Sequence, residues 1–223
     1  MDTPYVFEWI EETTSTQDEA RRLFDGSPVV IAAARQTRGR GRNDRTWENA
    51  PRAIAVSVCW APGWEPSTFG RLPLVAGLAA TDVIDARLKW PNDLVNAAGH
   101  KVGGILAEAV GPVVTIGFGL NLYWPEPPDG YGAVYREDPG RCESLAAAFG
   151  SQLLMRADAG SEHWDRAAYL ERCVTIDNLI TWRPGGAGRA VGVGQGGELM
   201  VETSDGIRSL VTGEVWEVRS SPS

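Results

Sequence analysis

The chain has 223 residues, enough for one large domain or for a medium domain with a small appendage, and enough to bury a sizeable core. With 43% hydrophobic and 22% charged residues it has an ordinary globular composition, which excludes a disordered or fibrous protein. Its formal net charge of −8 excludes a generic binder of nucleic acid or anionic membrane, which needs an excess of Lys and Arg, so any site for a polyanion has to be local.

The acidic start, Met1 to Thr14, lacks a basic stretch followed by an apolar one, so no secretion signal is read and a cytoplasmic location is expected. A first strand falls within the first ten residues. Ser15 to Phe24 (STQDEARRLF) offers a Ser or Thr N-cap with Asp18 or Glu19 three residues on, and predicts a short helix. Val29 to Ala34 and Ala53 to Trp60 are β-rich, and the polar, Gly/Arg-rich stretch Arg35 to Pro51 between them reads as a long loop. Ser67 to Asp85, with Leu74, Leu78, Thr81 and Ile84 at helical spacing, predicts a second helix packed on the sheet. The longest apolar run, Leu72 to Ala80, is far short of the roughly 20 residues that cross a bilayer, so no membrane partner is expected.

ARLKW, KVGGILAEAV and VVTIGFGLNL then read as strands of a meander, separated by the turn formers PND, NAAGHK and Gly111-Pro112. Pro125 to Pro139 reads as a surface loop, and Glu143 to Arg156 and Glu162 to Arg172 as helices. A boundary near Cys173 divides residues 1–173 from a small all-β unit at 174–219, read from the runs RAVGVG, ELMVET, IRSLV and GEVWEVR; residues 220–223 form a tail. Cys59, Cys142 and Cys173 are odd in number and widely spaced, and with only two histidines no metal site or disulfide framework is identified.

Three motifs carry chemistry. Arg38-Gly39-Arg40-Gly41-Arg42-Asn43-Asp44-Arg45-Thr46-Trp47 concentrates positive charge, and its glycines let backbone N–H groups approach an anion. It fits a cradle for phosphate or carboxylate, or a solvated basic loop; Trp47 fits a purine face, or a cover for the core beside Ala53 and Ile54. Lys89-Trp90-Pro91-Asn92-Asp93 ends a strand in a sharp turn. Asn and Asp occur in turns to bond their own backbone, but Asp93 in a cleft would also suit an enzyme that acylates lysine. An amine with a pKa of about 10.4 needs a carboxylate to orient it and take its proton. Lys101-Val102-Gly103-Gly104-Ile105 puts two glycines inside a strand pattern, which fits close approach of a ligand or a β-bulge, and Gly117-Phe118-Gly119-Leu120-Asn121 repeats the theme.

RGRGR followed by Trp, then KWPND, KVGGI and GFGLN, in this order and at these separations, resembles the catalytic domain of the biotin protein ligases, of the same superfamily as the lipoate protein ligases. The resemblance covers Glu11 to Leu122 well and the C-terminal segment in outline. It implies an α+β fold, a central mixed or antiparallel sheet with helices on one side, followed by a small SH3-like β-barrel. It implies ATP-dependent activation of biotin to biotinyl-5'-AMP and transfer to a lysine of a biotin carboxyl carrier protein or domain, with Mg²⁺ carried by the ATP. Ser15, Thr16 and Gln36 would line the ureido pocket with backbone of Gly39, Gly104 and Gly117. Arg40 and Arg42 would hold phosphates, Trp47 would pack beside adenine, and Asn92, Asn121 and Arg219 would lie on the nucleotide side. Lys101 would bridge the biotin carboxyl and the α-phosphate, and Asp93, with Lys89, would face the incoming lysine. Asp44 departs from the family pattern, which usually has glycine there. No N-terminal helix-turn-helix segment fits ahead of the first strand, so DNA is not an expected partner; a homodimer stays open. The alternatives are a lipoate or octanoate ligase, for which the polar pocket of Ser15, Thr16 and Gln36 is unsuited, and a non-enzymatic binder, which has no need of Arg40, Lys89, Asp93 and Lys101.

Overall fold

A computed structural model describes residues 4–42, 47, 50–183 and 185–211, and the backbone of 215–217. Asp44 and Arg219 lie outside the described residues.

The centre is a seven-stranded mixed sheet formed by β1 (Val6–Thr13), β2 (Val29–Gln36), β3 (Arg52–Trp60), β4 (Arg87–Lys89), β5 (Asp93–Val95), β6 (Lys101–Val110) and β7 (Val113–Tyr123), in the order β1-β2-β3-β7-β6-β5-β4. Only β1 and β2 are parallel, as their crossover through α1 (Thr16–Leu23) requires; every other pair is antiparallel. The alternation of β3 and β7 decides what each face becomes. Ile54, Val56, Val58 and Trp60, with Val114, Ile116, Phe118, Leu120 and Leu122, join the main core beneath α2 (Leu72–Thr81) and α3 (Glu143–Asp158). The alternate positions, Ala53, Ala55, Ser57 and Cys59 with Thr115, Gly117, Gly119 and Asn121, are small or polar and turn to the other side. There Ala20 of α1 packs with Val29, Ile31 and Cys59. Helices therefore lie on both faces, not one as expected, α2 and α3 on the apolar face and α1 on the other, where α1 is too short to screen the whole face and leaves the small-residue strip open beside it.

The helix expected over Ser67–Asp85 is a 3₁₀ turn, Pro66–Arg71, followed by α2; Pro73 suits the first turn of the latter, where its missing N–H is not needed. The helix expected from Glu162 begins only at Arg166, as α4 (Arg166–Arg172), with Asp165 as its cap accepting from the Ala168 N–H. Ser15 occupies the N-cap position of α1 without a side-chain capping bond.

The C-terminal strands β8 (Leu179–Trp182), β9 (Ala187–Val193), β10 (Leu199–Thr203), β11 (Gly206–Leu210) and β12 (Val215–Glu217) form an antiparallel sheet in the order β11-β10-β9-β8-β12. Among the described residues β11 and β12 remain edges, so the sheet is not the closed barrel expected. β8 was not read from the sequence; Leu179–Trp182 is a four-residue run too short to show its period. The sheet is tied to the first by Trp90, whose N–H donates to Thr175 Oγ1 at 3.0 Å and whose indole Nε1 donates to the Gly197 carbonyl at 3.0 Å. No helix among the described residues is long and apolar enough to cross a membrane.

Asp82, just after α2, clasps the helical layer. It accepts from Arg156 Nε at 2.6 Å and Nη2 at 3.1 Å on α3, and from Arg172 Nη1 at 2.9 Å on α4. Burial pushes its carboxyl pKa up, but the two guanidinium groups outweigh burial and hold it below the usual carboxylate value. A depressed folded-state pKa contributes stability above the unfolded value and loses it as pH falls through the folded one. Asp82→Asn is therefore expected to cost about 1–3 kcal/mol at pH 7. In urea unfolding the gap to the wild type should close as pH drops below about 4; a gap independent of pH would show that the charge is not what matters.

Candidate active site

The open strip on the α1 face is the floor of a cavity of about 260 Å³. β3 and β7 supply the floor through Ala55, Ser57, Gly117 and Gly119, α1 one wall through Thr16 and Gln17, and the Arg-rich loop the roof through Arg40, Arg42 and Trp47. The far end is built by the β4–β5 turn and the start of β6, with Lys89, Asn92, Asp93, Lys101 and Gly104. Residues distant in sequence thus converge because the sheet brings β5, β6, β7 and β3 side by side.

One end is polar and uncharged. Thr16 and Ser57 are buried, and their hydroxyl oxygens lie 2.7 Å apart. Gln36 Oε1 accepts from the Thr16 backbone N–H at 2.9 Å and from its hydroxyl at 3.1 Å. Gln17, also buried, lies against Gly117 and donates from Nε2 to the Leu106 carbonyl at 3.3 Å. Ser15 is buried next to this end but outside the lining; its side chain serves Asp18.

The other end is ionic. Lys101 Nζ lies 2.5 Å from Asp93 Oδ1 and 5.9 Å from the Trp47 ring. Asp93 and Lys89 are directly opposite on β5 and β4, so their side chains share one face. Arg42 Nη1 donates to Asn92 Oδ1 at 3.0 Å, while Asn92 Nδ2 donates to the Ile105 carbonyl at 2.8 Å, which pins the turn to β6. The peptide between Trp90 and Pro91 is cis. Four cations against Asp93 make the cavity locally positive on an acidic chain, and such a field suits two anionic groups brought together.

Arg40 is at the mouth, where its guanidinium makes a two-pronged pair with Asp18, at 2.9 and 3.0 Å, and reaches Glu108 at 3.4 Å; Arg21 also contacts Glu108. The hydrogen bond from Arg40 lowers the Asp18 carboxyl pKa, and the same bond raises that of Arg40. Asp18 thus occupies the arginine that the sequence assigns to phosphate, a pairing over 22 residues that no local pattern reveals.

Trp47 lies across the glycines that the motifs left without side chains. A Cβ on Gly119 would stand 2.7 Å from its Cε2, one on Gly104 3.2 Å from Cζ3, and one on Gly39 3.1 Å from its Cβ. Gly104 and Gly119 are register partners, so the two bare positions form one bed for the indole. Gly39 therefore supports Trp47 from outside the lining. Asn121 is buried away from the lining, with Nδ2 donating to the Gly132 carbonyl at 3.1 Å and Oδ1 lacking a partner; Trp47 Nε1 is buried without one as well. Ser57 and Gln17 escaped the sequence reading. Ser57 carried a signal, as the one polar residue within AIAVSVCW. Among the described residues no group of three or more His, Cys, Asp or Glu is placed to hold a metal ion.

Residues 6–121 match the Biotin/lipoate A/B protein ligase family. A biotin–[acetyl-CoA-carboxylase] ligase of Mycobacterium tuberculosis is 33% identical over 209 residues, covering 82% of this chain and 77% of that protein. The ligase of the same name from Paracoccus denitrificans is 34% identical over 128 residues; the match spans about half of each protein, 51% and 53%. Among solved structures, biotin protein ligase from Aquifex aeolicus in complex with biotin and ATP superposes with a TM-score of 0.80 at 24% identity, covering 96% of this chain and 99% of that one. Fold and site define a protein ligase of carboxylic acids, and the chain belongs to the biotin/lipoate A/B protein ligase family.

The glycine bed gives a direct test. Gly119→Ala should displace the indole and cost about 1–3 kcal/mol by overpacking, and Trp47→Ala in the same chain should remove most of that cost. Urea unfolding of the four proteins of this double-mutant cycle checks the contact, and strictly additive effects would contradict it.

Proposed function

We propose that the chain activates biotin with ATP to biotinyl-5'-AMP and transfers the biotinyl group to a lysine of a biotin carboxyl carrier protein or domain. The observation that carries this reading is one cavity with a neutral hydrogen-bonding end, Thr16, Ser57 and Gln36, and a cationic end, Lys101, Arg42 and Arg40. Biotin has the matching polarity, a ureido ring at one end and a carboxylate at the other. It is also the substrate for which the Mycobacterium tuberculosis and Paracoccus denitrificans relatives are named. A lipoyl or octanoyl chain has no N–H to offer the acceptor oxygens of this end and would cover them with hydrocarbon, and a site built to hydrogen-bond its substrate rejects an analogue that lacks the bond.

In the first step the carboxylate attacks an α-phosphate that is itself anionic, and the α–β phosphoanhydride bond breaks to release pyrophosphate. Two like charges about 4 Å apart repel by roughly 4 kcal/mol at an effective dielectric of 20. Lys101, between the two anions, offsets that repulsion, aided by Arg42 and by Arg40 once it leaves Asp18. Mg²⁺ would arrive on the nucleotide and share its charge, and Asp93, the carboxylate among the lining residues, is the side chain that would help hold it. Trp47 covers the adenine, Asn92 and Arg219 serve the nucleotide side, and Asn121, buried outside the lining, supports that side only indirectly. AMP is then a good leaving group, so the second step needs positioning and proton removal. Asp93, opposite Lys89, takes the proton of the acceptor amine. Ser15 supports the ureido end together with the backbone of Gly117, whereas Gly39, outside the lining, and Gly104, at the ionic end, seat Trp47 instead. Residues 1–173 act as the catalytic unit, and 174–219 as an appended β unit.

Two substitutions separate the steps. Lys101→Ala should lower single-turnover formation of biotinyl-5'-AMP about 100-fold or more without unfolding the chain; retained activity would remove Lys101 from the chemistry. Asp93→Ala should slow transfer from preformed biotinyl-5'-AMP to the carrier lysine by about 100-fold, a larger effect than on adenylate formation, and an unchanged transfer rate would reject its role as base.

A further inference from the structure

We propose that Ser57 is a positioning residue that fixes the direction of the Thr16 hydroxyl, so that Thr16 presents an acceptor, and no donor, to a ureido N–H. The inference rests on the biotin reading above and goes beyond it by naming what sets the polarity of the pocket.

Proton accounting carries the argument. Gln36 Oε1 accepts the Thr16 backbone N–H at 2.9 Å, which requires an oxygen at that position and fixes the orientation of the amide. The same oxygen lies 3.1 Å from Thr16 Oγ1. A carbonyl oxygen has no proton to give, so the single hydroxyl proton of Thr16 points at Gln36. The contact of 2.7 Å between Thr16 Oγ1 and Ser57 Oγ is then attractive only if Ser57 donates. The reverse arrangement would leave two lone-pair oxygens, Thr16 Oγ1 and Gln36 Oε1, facing each other at 3.1 Å. With its proton committed to Gln36 and one lone pair to Ser57, Thr16 has one lone pair left, and Thr16 lines the cavity.

Ser57 is rigidly placed for this task. It sits in mid-strand, with Ile31 as register partner on β2 and Gly117 on β7, and is fully buried. Gly117 opposite leaves the face beside it free of a competing Cβ, and Gln17 closes that space. The chain Ser57 to Thr16 to Gln36 therefore runs in one direction. A ligand that donates, as a ureido N–H does, meets an acceptor, and one without a donor meets only a lone pair.

Calorimetric affinities for biotin and for its carbocyclic analogue, in which CH₂ replaces each ureido N–H, test this on the full chain. The wild type should prefer biotin by about tenfold or more. Ser57→Ala should reduce that preference by about fivefold or more, mostly through weaker biotin binding. Ser57→Cys, which keeps the volume and swaps a strong donor for a weak one, should do the same, and Ser57→Thr should restore the preference. Equal weakening of both ligands in Ser57→Ala and Ser57→Cys, or an undiminished preference, would overturn the proposal and leave the biotin reading standing. A wild-type chain that binds no biotin would overturn both.

Discussion

The constraint on which the rest of the structure depends is the asymmetry between the two faces of β3 and β7. Strand geometry sends alternate residues to opposite sides, and here one side is uniformly large and apolar while the other is Ala55, Ser57, Gly117 and Gly119. The large side anchors the sheet to α2 and α3. The small side cannot fill itself, so Trp47 and Gln17 take up part of the space and the rest is the cavity. A one-residue slip in the register of either strand would put Phe118 or Val56 into the cavity and glycines into the core. Fold stability and the existence of the site are consequences of the same pairing.

Electrostatics adds the second condition. An acidic chain concentrates Arg40, Arg42, Lys89 and Lys101 around one cavity, with Lys101 held by Asp93 and Arg40 by Asp18. Such pairs keep the cations oriented without a ligand, and anionic substrates must compete for them. The cost of that competition is modest because both pairs are partly exposed to water. In the proposed reaction Asp93 would exchange its partner from Lys101 to the acceptor amine between the two steps.

Much of this was legible in the sequence, for identifiable reasons. The strand runs, the turn at Pro91 to Asp93 and the glycines at 104, 117 and 119 are local signals, and the four motifs together marked the roof and the ionic end of the cavity. The pairing of Asp18 with Arg40 and the bed of Gly104 and Gly119 under Trp47 were not legible, since each depends on which elements the sheet places side by side. Glycines that read as room for a ligand also make room for an indole. Ser57 could have been found from polarity alone, because a serine amid Ile54, Val56 and Val58 has to be paired with something. The short strand β8 and the late start of α4 were hidden because stretches of four to seven residues carry too little periodicity.

The account's central claim is that the neutral end of the cavity selects a ureido acid and the cationic end activates it. ATP–pyrophosphate exchange by the purified chain with Mg²⁺, run in parallel with biotin, lipoate and octanoate, tests both halves at once. The account predicts exchange that depends on biotin and is absent or far slower with the other two acids. Exchange supported by lipoate or octanoate as readily as by biotin would contradict the role given to Thr16, Gln36 and Ser57, and no exchange with any acid would contradict the role given to Lys101.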